Sequence, residues 1–66
     1  MFPILAEKEP INEDYVLFRM GEYILVRQYL VDGEDTCYKA SNNQHKTFVN
    51  PKIVILGVLV EVRYQL

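Results

Sequence analysis

Cys37 and His45 are the two most reactive-looking side chains in this 66-residue chain. A cysteine–histidine nucleophilic pair needs the imidazole within hydrogen-bond reach of the thiol, and a third group to orient the ring. The surroundings argue against one. Cys37 sits between Thr36 and Tyr38 in a stretch that reads as a strand, where a small half-buried thiol is ordinary packing. His45 belongs to a polar run of Ser, Asn, Gln and Lys that reads as an exposed loop. A metal would need three or four ligands. Asp32, Glu34 and Asp35 could add carboxylates to Cys37 and His45, but no C-x-x-C or H-x-x-x-H spacing is present, and the acidic cluster is too short for a calcium loop. Glu7, Glu9, Glu13 and Asp14 crowd one irregular segment and read as solubilising charge, not as two carboxyls facing across a cleft. The residues call for no catalytic site, no cofactor and no metal.

Composition narrows the partners. Seven basic and nine acidic residues leave a net charge of −2, no electrostatic footprint for phosphates, so direct nucleic-acid binding is not expected. Tyr15, Tyr23, Tyr29, Tyr38 and Tyr64 all fall in strand-like stretches and read as sheet packing, not as stacking platforms for bases. No apolar run approaches the ~20 residues that span a bilayer. A lone cysteine excludes an internal disulfide and fits a reducing, cytoplasmic setting. Half the residues are hydrophobic, enough for a core. At this length that core is thin, and oligomerisation is a common remedy.

The elements that would position any site are strands. Tyr15–Met20 and Tyr23–Val31 flank Gly21-Glu22, the pattern of a hairpin closed by a type II′ turn. Asp32–Asp35 is a second turn, with Asp-Gly as its reversing pair. Thr36–Ala40 then pairs back, 41–46 is a loop, and Thr47–Val49 is a brief strand broken by Asn50-Pro51. In the closing stretch, Ile53–Leu56 is apolar on both sides and should be covered on both, or turn a corner between sheets. Gly57 marks a bend or bulge. Val58, Val60, Val62 and Tyr64 then form one apolar face, with Glu61, Arg63 and Gln65 on the other side. Pro3 and Pro10 confine any helix to one turn near Leu5–Lys8. The expectation is a single mainly β domain over residues 1–66. Residues 1–13 form an irregular N-terminal segment, and 14–66 a β core of about five short strands in a small coiled-sheet or SH3-like barrel.

As a string of elements, Asp14–Leu66 resembles the C-terminal domain of the LexA-type repressors, self-cleaving serine–lysine peptidases of bacteria and phages. The residues carrying the resemblance are Asp14–Arg19, Leu25–Tyr29, Ser41–Asn43 and, most specifically, Ile55–Arg63 (ILGVLVEVR). The resemblance implies a LexA-like coiled sheet that dimerises through its strands, while a separate helix-turn-helix domain reads DNA. It also implies lost catalysis. Arg27 stands where the family carries its general-base lysine, and a guanidinium stays protonated. Met1-Phe2-Pro3 matches the end of the family's Ser-Met-x-Pro turn, which puts the nucleophilic serine before this chain. The reading is a non-catalytic regulatory, homodimerising domain of a phage or bacterial repressor, with Val58, Val60, Val62 and Tyr64 as its interface and room for a further protein partner. Two alternatives stand beside it. One is an active self-cleaving fragment using a serine outside this chain, or Ser41 with Lys39. The other is an unrelated small-barrel interaction module that takes a peptide in a tyrosine-lined groove.

Overall fold

A computed structural model describes the backbone of residues 2–62 and the side chains of 4–60. It contains six strands: β1 (Phe2–Ala6), β2 (Tyr15–Met20), β3 (Tyr23–Asp32), β4 (Asp35–Lys39), β5 (Phe48–Val49) and β6 (Val54–Val62). All pair antiparallel in one sheet of order β1-β6-β2-β3-β4-β5. The mainly β expectation is borne out. The sheet does not close into a barrel: β1 and β5 are its two edges.

Both hairpin turns are set by glycine. Met20 pairs with Tyr23 and Asp32 with Asp35, so each loop is two residues, Gly21-Glu22 and Gly33-Glu34. In each, the glycine alone has a positive φ, 61°, which is the type II′ pattern. The second reversal is therefore Gly33-Glu34, not Asp32-Gly33; Asp32 is still in strand. β3 serves two partners in succession, β2 up to Gln28 and β4 from Gln28 onward.

The N-terminal segment departs from expectation. Phe2–Ala6 is a strand lying along β6, from Phe2 opposite Val62 to Ala6 opposite Val58, and Leu5-Ala6 forms no helical turn. Pro3 obscures this in the sequence. A proline cannot donate to a ladder, but at the edge of a sheet no neighbour is waiting for that N–H. Residues 7–13 are irregular as expected and are tied to β3: Asn12 Oδ1 accepts from the Val31 N–H at 2.9 Å, and the Glu13 N–H donates to the Tyr29 carbonyl at 2.7 Å. At the far edge, Asn50 in the left-handed region (φ 48°) closes β5 onto β4. It donates to the Thr36 carbonyl and accepts from the Thr36 N–H, both at 2.8 Å.

Register divides the side chains between two faces. On one lies the core: Val16, Phe18, Tyr38 and Val58, backed by Met20, Leu25, Tyr29, Phe48, Ile53 and Val60. The sheet curls over this face. Phe18 and Tyr38 belong to strands separated by β3, yet their rings are 5.2 Å apart, and Phe48 reaches Phe18 edge-on at 6.4 Å.

β6 changes character at a bulge. Leu17 pairs with Gly57 but Phe18 with Ile55, so Leu56 is the extra residue. Gly57 needs no special φ; it is required for space. A Cβ there would lie 2.6 Å from the Leu5 side chain and 3.1 Å from the Ala6 carbonyl oxygen. We expect Gly57→Val to displace β1 and lower the urea unfolding midpoint, by about 1–3 kcal/mol of stability. Leu5→Ala should restore part of that loss in the double variant, because it removes the nearer of the two obstacles. Simple additivity of the two changes would exclude the contact. The expectation that Ile53–Leu56 is covered on both sides does not hold. β1 stops at Ala6 opposite Val58, so this half of β6 has only β2 beside it, and Val54, Ile55 and Leu56 are exposed.

Candidate functional site: the open face of the sheet

The candidate chemical groups do not converge. Cys37 lies mid-strand on β4, opposite Leu30 and Val49, half-buried. His45 is exposed in the loop that follows, its N–H donating to the Asn42 carbonyl at 3.0 Å. No group of three histidine, cysteine or carboxylate side chains is gathered among the described residues. Lys39 ends β4 opposite Gln28, whereas Ser41 is already off the strand, so the alternation that would place both on one side does not extend to it.

Arg27 has a structural task. Its side chain leaves β3 on the core face, opposite Val16, and covers the Phe48 ring at 5.7 Å. Nε donates to the Lys46 carbonyl at 3.0 Å and Nη1 to the Val26 carbonyl at 2.8 Å. Lys46 Nζ approaches the same ring at 5.6 Å. Arg27 thus fastens the 40–47 loop and β5 over the open end of the core, using the planar fork and the stacking that lysine lacks.

The tyrosines carry the clearest electrostatic signal. Tyr38 is buried, with Tyr29 edge-on at 5.7 Å, and burial followed by that neighbour raises its pKa above the ordinary 10.0. The raised value belongs to the folded state, so its contribution to stability is complete below about pH 10 and is lost as pH rises through the folded pKa. Unfolding should therefore become easier in strong alkali. Tyr38→Phe should flatten that dependence, read from urea midpoints between about pH 8 and 11.

Val58 is fully buried and Val60 packs against the core cluster, so both serve this chain's own interior. The Val62 side chain and Tyr64 lie outside the described residues. The other face of the sheet is different. By register it carries Leu5, Leu59, Tyr15, Gln28 and Lys39 in one row across β1, β6, β2, β3 and β4. Gly57, Leu17 and Val26 form the next row, and Val54, Arg19 and Ile24 the one beyond. Ile24, Val54, Leu5, Tyr15 and Val26 are between 43% and 54% exposed, and among the described residues no helix or second sheet covers them. Leu17 and Leu59, half-buried between them, make the patch continuous. Isolated exposed apolar residues mean little, but a contiguous group spanning four strands is the mark of an interaction surface.

No family model, curated protein or solved structure matches the chain. The open face therefore has to be interpreted from its own chemistry. No helix of the described residues is long and apolar enough to cross a membrane.

The sequence pointed to strand pairing in general but missed this face. The signal was present. In β2 and β3 the residues that alternate with the core set, Leu17 against Val26 and Tyr15 beside Leu59, are apolar where a solvated face would be polar.

Proposed function

We propose that this chain is a non-catalytic association domain, of the kind that pairs regulatory proteins, and that its partner is a second copy seated on the open face around Leu17, Val26 and Leu59. The observation carrying this reading is the contiguous apolar group on that face, where Leu5, Tyr15, Ile24, Val26 and Val54 are all exposed around Leu17 and Leu59. The chain presents 5452 Å² to solvent, whereas a compact monomer of 7.8 kDa would present about 4,400 Å². The chain is thus more open than a compact monomer of its mass, as a single sheet with one uncovered face would be. The radius of gyration agrees: 12.6 Å against about 11 Å for a compact chain of this length. Two such sheets packed face to face make a sandwich whose second core is built from Leu5, Leu17, Val26 and Leu59.

The role of Arg27 supports a scaffold over a peptidase, since its guanidinium is held by two carbonyls and a ring. In a repressor of the LexA type, such a dimer would set the spacing of two DNA-reading domains; that assignment extends the proposal from the closing strand's resemblance. Sedimentation equilibrium across roughly 1–100 µM tests the association, because even a weak dimer is populated within that range. We expect a concentration-dependent rise toward twice the monomer mass. A constant monomer mass throughout would overturn the reading.

A further inference from the structure

A second surface lies at the sheet's edge. Beyond Ala6 the chain turns away from β6, the Lys8 N–H donating back to the Ala6 carbonyl at 3.2 Å. β6 and β2 continue past that point, through Ile55 opposite Phe18 and Val54 opposite Arg19. The result is a notch in line with β1. Its floor is Ile55, Leu56 and Gly57, its wall is Glu7, Lys8 and Glu9, and it opens to solvent. Along this side Val54–Leu56 have no strand partner among the described residues. An unpaired strand edge with exposed apolar side chains is a template for strand addition.

The wall states what should fill the notch. Lys8 is engaged with Asp14 at 3.6 Å, while Glu7 and Glu9 are exposed and have no ion pair among the described residues. The free charge on the wall is therefore negative, over an apolar floor, with Arg19 one strand further in, opposite Val54. We propose that the notch takes an extended basic–apolar segment of another protein, added as a short strand along Val54–Leu56 in continuation of β1. The backbone ladder supplies the pairing, the exposed valine, isoleucine and leucine side chains take alternate apolar residues, and Glu7 and Glu9 select lysine or arginine beside them. The notch borders the open face, sharing Val54 and Gly57 with its rim, while the proposed dimer is centred on Leu17 and Val26.

The test uses the full ¹⁵N-labelled chain and two acetylated, amidated hexapeptides, one alternating lysine with valine and one alternating glutamate with valine. The lysine peptide is expected to shift the amides of residues 54–57 and 7–9 in a saturable way. Its affinity should fall about tenfold in the Glu7→Lys/Glu9→Lys variant, and also on raising salt well above roughly 0.15 M. Both glutamates are exposed on an irregular segment, so the variant should fold, and an unchanged spectrum away from 7–9 checks that it does. Equal binding of the two peptides would overturn the proposal, as would no shift at 54–57. In the Val26→Glu variant, where the open-face dimer is not expected, the same shifts at both 54–57 and 7–9 on raising the protein concentration without peptide would also overturn it, because a second copy would then occupy the notch.

Discussion

Phe18→Ala is expected to leave the chain unfolded, or nearly so, at 25 °C. Phe18 is fully buried on the central strand β2 and is the largest side chain so enclosed. It touches the Tyr38 ring at 5.2 Å and the Phe48 ring at 6.4 Å, and so joins the middle of the sheet to the curled end formed by β4 and β5. Truncating a buried phenylalanine costs about 3–5 kcal/mol, through lost transfer energy and the cavity left behind. At about 0.05–0.15 kcal/mol per residue, a domain of this length has only about 3–10 kcal/mol in total. Loss of far-UV β signal, or a collapse of the urea midpoint, is the expected readout. Val31→Ala, a change at a side chain that is half exposed at the end of β3, should move the midpoint by no more than about 0.5 kcal/mol. Equal effects of the two changes would mean that the core is not centred on Phe18.

Val26→Glu is expected to have the opposite profile: an intact fold and a lost dimer. Val26 is 43% exposed on the open face, opposite Leu17, so in the monomer a glutamate there can reach water. In a face-to-face dimer the same carboxylate would be buried without a partner, costing about 3 kcal/mol or more, which corresponds to at least a hundredfold weaker association. Sedimentation of the variant should give monomer at concentrations where the parent chain pairs. Cys37, on the same face through its pairing with Leu30, supplies a second readout. Its reaction with a thiol reagent should slow as the parent chain is concentrated and stay constant in the variant. A Val26→Glu protein that still dimerises would place the interface elsewhere.

Strands β2 to β6 were legible because their signals are local, whereas β1 fell in a segment read as irregular. The Gly-Glu pairs at 21–22 and 33–34 sit between β-rich runs, and each reverses the chain by a torsion that glycine adopts freely. A bend or bulge at Gly57 was legible for a similar reason, since a glycine inside a long apolar strand marks a bulge or close approach, and the extra residue is its neighbour Leu56. The identity of the atom approaching it was not. Leu5 lies 52 residues away in a segment that Pro3 makes look irregular, and only pairing across the sheet brings it over Gly57.

By itself, the sequence determined an antiparallel β chain with two tight hairpins and a long closing strand, because backbone torsion and two-residue alternation act over a few neighbours. The tertiary structure decided which of its two apolar faces is the core. Val58 and Leu59 look equally suited to an interior. Strand order places Val58 with Val16 beneath the curl, and leaves Leu59 beside Tyr15 on the uncovered side. The same order decided that the sheet stays open and that β1 ends short of Val54, so the face and the notch exist only once distant strands have paired. A single sheet has two faces and its own curl covers only one, so Val58 is enclosed while Leu59 is left on the open side.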